Sequence, residues 1–110
     1  MNEPSALAAF AALSQETRLQ IVRLLVQAGP EGMAAGALGE AVGGASSSRI
    51  SFHLAHLEHA GLVTSRREGR FIIYSAAYST LSELIAFLMR DCCQGRPEIC
   101  ASALEAVACP

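Results

Sequence analysis

Lysine and tryptophan are absent from this 110-residue chain, and no cysteine stands before position 92. Its eight basic residues are therefore all arginine, the side chain whose planar fork suits phosphate and guanine. Charged residues are few, 16% against 52% apolar, a balance that excludes an intrinsically disordered chain. Long apolar runs are missing too: Ile21-Val22 and Leu24-Leu25-Val26 are separated by Arg23 and are too short to span a membrane. Residues 1–13 carry Glu3 and no basic segment, so they do not read as a signal peptide. A cytoplasmic protein with reduced thiols and no structural disulfide is expected. No internal repeat and no long linker divides the chain, so 1–92 is read as one domain and 93–110 as a cysteine-bearing tail. A domain of this size buries only about two-thirds of its unfolded surface, which favours a second subunit.

What is present is unevenly placed. The net charge is −2, yet the two ends carry the acid. Residues 1–45 set Arg18 and Arg23 against Glu3, Glu16, Glu31 and Glu40, and residues 73–110 set Arg90 and Arg96 against Glu83, Asp91, Glu98 and Glu105. The middle, 46–72, holds Arg49, Arg66, Arg67 and Arg70 against Glu58 and Glu68, with all three histidines. A positive segment within an acidic chain points to a local contact with nucleic acid.

Hydrophobic spacing predicts a mainly α fold with a small β-hairpin. Ser5 is expected to cap a helix over Ala6–Leu13, and Ser14 the next one, whose inner face is read as Leu19, Val22, Leu25 and Val26. Gly29-Pro30 ends it. A weaker helix over 34–42 carries Leu38 and Val42, and Gly43-Gly44 turns the chain. Ser46-Ser47-Ser48 can cap a helix whose core residues Ile50, Leu54, Leu57 and Ala60 precede a terminating Gly61. Leu62–Ser65 and Phe71–Ser75 read as strands around a basic turn, Arg66-Arg67-Glu68-Gly69-Arg70. A last helix over 79–91 presents Leu81, Leu84, Ile85 and Leu88, a stripe suited to a dimer seam.

Helix, turn, helix, basic hairpin and helix is the order of a winged helix-turn-helix. The second helix of the pair would read base edges from its N-terminal turns, with Ser47, Ser48, Arg49, Ser51 and Phe52 facing DNA. Arg49 suits a forked contact to guanine, the serines suit phosphate or water, and Arg66, Arg67 and Arg70 would contact the backbone or minor groove. His53, His56 and His59 have no neighbouring Cys. His53 is read as half-buried, and His56 and His59 as surface.

All four cysteines lie beyond residue 91: Cys92, Cys93, Cys100 and Cys109. The spacing C-C-x6-C is neither a redox C-x-x-C nor the paired spacing of common zinc sites. Three thiols brought round the Gly95-Arg96-Pro97 turn would suit a soft ion. Trivalent arsenic or antimony needs three sulfurs, whereas zinc would require a fourth ligand such as Cys109. A thiol enzyme would need an anion-cradling loop and a base beside a cysteine. Neither is evident, and no enzymatic activity is expected.

Residues 7–92 resemble the ArsR/SmtB family of metalloregulatory repressors. The resemblance rests on Leu13-Ser14-Gln15-Glu16-Thr17-Arg18-Leu19, on Ile50-Ser51-Phe52-His53-Leu54 with Leu57 and Ala60-Gly61-Leu62-Val63, and on Arg67-Glu68-Gly69-Arg70 followed by Tyr74. It implies a homodimer held through the first and last helices, bound to a two-fold symmetric operator and released by an effector. The family's cysteine cluster at the start of the DNA-reading motif is not matched, because 34–45 hold no Cys. Its zinc ligands on the last helix are not matched either, because 79–91 hold no His. The early cysteine of its sulfide and redox sensors is missing. The match is to arsenite repressors with a C-terminal Cys-Cys and a nearby third Cys, here Cys92, Cys93 and Cys100, with Cys109 left over. Cadmium, lead, zinc, methylated arsenicals and thiol oxidation remain alternative effectors.

Overall fold

A computed structural model describes residues 1–90 of the chain. The four cysteines and the tail 93–110 lie outside the described residues. Within them, α1 (Glu3–Leu13), α2 (Glu16–Ala28), a 3-10 turn (Gly29–Glu31), β1 (Met33–Ala34), α3 (Ala35–Ala41), α4 (Ser47–His59), β2 (Val63–Glu68), β3 (Phe71–Ala76) and α5 (Tyr78–Met89) follow in order. This is the expected helical fold with a small sheet, and the sheet has a third strand that the hydrophobic pattern did not reveal. β1 is only two residues long, too short for period-two alternation to register. It pairs antiparallel with β3, Met33 opposite Tyr74, making β3 the middle strand of the order β1-β3-β2.

Two of the expected helix caps are wrong by a few residues. The Asn2 side chain, not Ser5, caps α1, accepting from the Ser5 N–H at 2.8 Å. The Gln15 side chain, not Ser14, caps α2 by accepting from the Arg18 N–H, while Ser14 closes α1 by donating to the Ala11 carbonyl. The α4 boundaries follow the sequence closely. Ser46 Oγ accepts from the Arg49 N–H. At the other end Gly61 takes φ +79°, its N–H donates to the Glu58 carbonyl, and the Leu62 N–H donates to the Leu57 carbonyl. This paired C-cap needs a left-handed residue, which glycine supplies without a Cβ penalty.

The core joins Ile21 and Leu25 of α2, Leu38 of α3, Ile50, Leu54 and Leu57 of α4, and Leu62 and Val63 at the start of β2. The inner face of α2 is therefore rotated from the expected one. Leu19 and Val26 are exposed, and the buried positions are Arg18, Ile21, Val22 and Leu25. Both sets obey helical spacing; tertiary packing chose the one that contains an arginine. α1 is turned the opposite way from an ordinary amphipathic helix. Ala6, Ala9 and Ala12 are buried while Leu7 and Phe10 face outward. A row of alanines lets α1 lie close to its neighbours α2 and α4.

Arg18 is only 9% exposed and His53 7%. The Arg18 Nε donates to the Ala12 carbonyl at 2.7 Å, and Nη1 lies 3.3 Å from His53 Nδ1. Guanidinium has no acceptor, so Nδ1 must accept, and the ring is the neutral tautomer protonated on Nε2. One side chain thus ties the end of α1 and the start of α2 to the middle of α4. Burial, and after it the charges of Arg18, Arg49 and His56, hold the His53 pKa below its ordinary 6.5.

Arg18→Met is expected to cost about 2–3 kcal/mol in urea denaturation, the scale of losing charge-assisted hydrogen bonds at a buried site. The unfolded chain takes up a proton at residue 53 more readily than the folded one. This ring therefore contributes fully above pH 6.5, and the contribution fades as pH falls below that value. His53→Asn, which retains an acceptor without titrating, should flatten the fall in stability between pH 7.5 and 5.5.

Candidate nucleic-acid interface

α4 is the second helix of the helix-turn-helix pair, the one expected to be the recognition helix. Its inner face is buried through Ile50, His53, Leu54 and Leu57, and so the outer face is fixed by helical period. Ser47, Ser48, Arg49, Ser51 and Phe52 are all exposed, as expected for residues that would face DNA. His56 and His59 are also exposed. The first turn presents the Ser47 and Ser48 N–H groups of a helix start, which favour phosphate oxygens, beside the Arg49 N–H that Ser46 caps. Ser46 Oγ and Ser48 Oγ lie 3.3 Å apart at that start.

The hairpin is longer and its turn tighter than the sequence suggested. β2 runs on through Arg66 and Arg67 to Glu68, which pairs with Phe71, leaving only Gly69-Arg70 as the turn. Gly69 takes φ +61°, which a two-residue hairpin of this hand requires at its first position. The three arginines consequently differ. Arg66 makes four side-chain hydrogen bonds: Nη2 to the Glu31 carbonyl at 2.7 Å, Nη1 to the Pro30 carbonyl and to Ser75 Oγ, and Nε to Glu68 Oε1 at 3.3 Å. It fastens the 29–32 strap to the hairpin, a task that residue spacing does not reveal. Arg67 reaches the Gly69 carbonyl through Nε at 3.4 Å and is exposed. Arg70 is exposed at the tip, and its guanidinium makes no hydrogen bond among the described residues.

The strap explains how the hairpin and the recognition helix share one side. Gly32, at φ +71°, lies against β3 so closely that a Cβ there would run into the Tyr74 carbonyl and Ser75 Oγ. The chain then enters β1, pairs with β3 and passes without a break into α3. Between α3, α4 and the hairpin is a cleft of about 280 Å³ lined by Ala35, Ser51, Arg70, Phe71, Ile72 and Tyr74. Burial, and after it the Glu58 carboxylate, raise the Tyr74 pKa, so its hydroxyl is a neutral donor. Glu58 itself accepts from Ser65 Oγ at 2.7 Å. One serine hydroxyl, a phenol and an arginine around one groove can grip a sugar-phosphate backbone, while Arg49 and Phe52 are exposed on the outer face of α4.

The expected dimer seam divides. Leu84 is 5% exposed and belongs to the core of its own chain, and Leu81 is half-buried against that core. Ile85 and Leu88 point outward, Leu88 being 62% exposed. Sequence spacing put all four on one stripe, but a helix resting against a small core buries only one edge of such a stripe. The residue whose role the sequence does not reveal is Arg18, which together with His53, expected to be half-buried and found buried, sets the seating of α4 from beneath. An arginine on the 18/21/22/25 spacing was the available signal. Among the described residues no three His, Cys, Asp or Glu side chains are close enough to hold a metal ion.

Residues 13–66 match the helix-turn-helix domain family. An uncharacterized HTH-type transcriptional regulator of Mycobacterium tuberculosis is 36% identical over 77 residues, 70% of this chain and 65% of the relative. The chain thus spans just under two-thirds of that relative's length. The transcriptional activator HlyU of Vibrio cholerae is 31% identical over 93 residues, 84% of this chain and 82% of HlyU. Among solved structures, an ArsR-like transcriptional regulator from Rhodococcus superposes with TM-score 0.71 at 30% identity, over 96% of this chain and 93% of that one. A homodimeric winged helix-turn-helix DNA-binding domain from Mycobacterium bovis, described as a possible ArsR-family regulator, gives 0.65 at 31% over 78% and 76%. A possible transcriptional regulator for arsenical resistance gives 0.62 at 36% over 71% and 77%. Each of these proteins is described as a regulator, or a possible regulator, of transcription. With the recognition helix, the anchored hairpin and these likenesses together, the chain belongs to the ArsR/SmtB family of winged helix-turn-helix transcriptional regulators.

Proposed function

We propose that the chain is a homodimeric repressor that binds a two-fold symmetric operator and lets go when trivalent arsenic, or antimony, is held by Cys92, Cys93 and Cys100. The observation that carries the DNA-binding part is the convergence of the outer face of α4 and the hairpin tip on one side of the molecule. Arg49 reads a guanine, Arg67 and Arg70 contact phosphate, and the serines of the α4 start fix the register. Arg66 acts chiefly by holding the hairpin in place.

The dimer reading is supported by the outward apolar residues Leu7 and Phe10 of α1 with Ile85 and Leu88 of α5, two helices that touch each other. It is supported as well by the homodimeric structure to which the chain is similar. Two copies supply the two recognition helices that a symmetric operator needs. No described helix is long and apolar enough to cross a membrane, and the reading places the protein with DNA in the cytoplasm.

The effector reading rests on donor chemistry. Three soft thiolates suit a three-coordinate thiophilic ion better than a hard one. In sequence, Cys92 stands three positions after Met89, the last residue of α5, the helix proposed to form part of the seam. Drawing Cys100 towards Cys92 and Cys93 changes that end of the seam, and with it the spacing of the two recognition helices. Linkage requires that operator DNA weaken effector binding by the same factor. The likeness to an activator, HlyU, favours one second reading: the same switch could raise transcription, depending on where the operator lies.

Arsenite titrated into a complex of the protein with a duplex selected from a random pool should release the DNA, as read by fluorescence anisotropy. Cys92→Ser, Cys93→Ser and Cys100→Ser should each blunt release, and Cys109→Ser should not; release by peroxide, cadmium or zinc alone would replace arsenic with that effector. Arg67→Ala and Arg70→Ala should each lower the slope of log affinity against log salt by about 1, with the folding midpoint unchanged. Arg66→Ala should lower the midpoint. Leu7→Glu with Leu88→Glu should turn the dimer into a monomer in sedimentation analysis.

A further inference from the structure

We propose that Phe52 reads the 5-methyl group of a thymine in the major groove, and so selects a T·A pair at one position in each half-site. The inference rests on the DNA-binding reading above and assigns a base to a side chain that this reading leaves without a role.

Phe52 is 66% exposed, the most exposed of the large apolar side chains among the described residues. It lies at the centre of the outer face of α4, opposite the buried row Ile50, His53, Leu54 and Leu57. Its neighbours along that face at helical spacing are Ser48, Arg49, Ala55 and His56, of which Ser48 and Ala55 are small and leave the ring open on their side. Its direction is restrained. The ring meets His53 edge-on, with centroids 5.6 Å apart and planes at 66°. It also lies 6.2 Å from the His56 ring at 45°. His53 is itself held by Arg18, so the aromatic pair is supported from the core outward.

A phenyl ring has neither donor nor acceptor and cannot use the hydrogen-bond code of the base edges. The one apolar group on the major-groove edge of unmodified DNA is the thymine 5-methyl. Arg49, three residues earlier and on the adjacent turn, would place a guanidinium beside the ring to read a neighbouring guanine. A site selected by this face should therefore hold G and T close together in each half.

The test uses the full chain and a duplex enriched from a random pool. Each thymine is replaced in turn by uracil, which removes only the methyl group and keeps the pairing. The wild type should lose about three- to fivefold in affinity at one thymine per half-site, the scale of one buried methyl. Phe52→Ala should bind the thymine and uracil duplexes equally, near the wild-type affinity for the uracil duplex, with an unchanged unfolding midpoint. Binding by the wild type that is indifferent to every uracil replacement would overturn methyl reading and leave DNA binding intact. So would a Phe52→Ala protein that still discriminates, or one that changes only its oligomeric state. Failure to enrich any duplex would overturn the DNA-binding reading itself, and methyl reading with it.

Discussion

The buried guanidinium of Arg18 is the constraint on which the arrangement of helices depends. A charge taken out of water is tolerated only when its donors are satisfied, and here the Ala12 carbonyl and His53 Nδ1 supply partners from two other helices. The fork geometry of arginine allows few relative placements of α1, α2 and α4 that meet this condition. The seating of the recognition helix is thereby set from its inner face. The outer face, with Arg49 and Phe52, inherits its position from a hydrogen bond made on the opposite side of the same helix.

A second constraint makes the hairpin part of the same body. β1 is only two residues, yet it ties β3 to the start of α3, and the Arg66 fork ties β2 to the strap that precedes β1. The tip cannot swing independently of the helix-turn-helix without breaking these bonds. Charge follows from the same contacts. Arg66 and Glu68 form an exposed ion pair and largely cancel, which leaves Arg49, Arg67 and Arg70 as the positive groups of the proposed interface. An acidic chain can bind DNA when its few cations are confined to one face, because salt screens the distant acidic ends over about 8 Å at physiological ionic strength.

The two outer helices show how a small domain uses apolar residues twice. α1 turns alanines inward to approach its neighbours and leaves Leu7 and Phe10 outside, while α5 gives Leu84 to its own core and keeps Ile85 and Leu88 at the surface. Large apolar side chains left on adjoining helices are difficult to reconcile with a lone subunit. They are the physical ground for the proposed seam of α1 and α5.

Much of this was legible in the residues alone. The α4 helix, from the serine cap to Gly61, the hairpin after it, and the outward set Ser47, Ser48, Arg49, Ser51 and Phe52 all follow from local chemistry: caps, a left-handed glycine and a 3.6-residue period act within one or two turns of chain. The inner face of α2, the third strand, the division of the α5 stripe and the separate duty of Arg66 did not follow. Each depends on which of two equally periodic faces meets a distant segment, or on a carbonyl some 35 residues away in sequence, as Glu31 is from Arg66. Local periodicity ranks faces by hydrophobicity and cannot see that an arginine on the alternative face will find a carbonyl and an imidazole waiting. The sequence by itself determined that this is a winged helix-turn-helix with a basic middle and with all four cysteines beyond residue 91. Only the tertiary structure decided which arginines hold the fold and which stay exposed, because that choice is made by partners brought together in space.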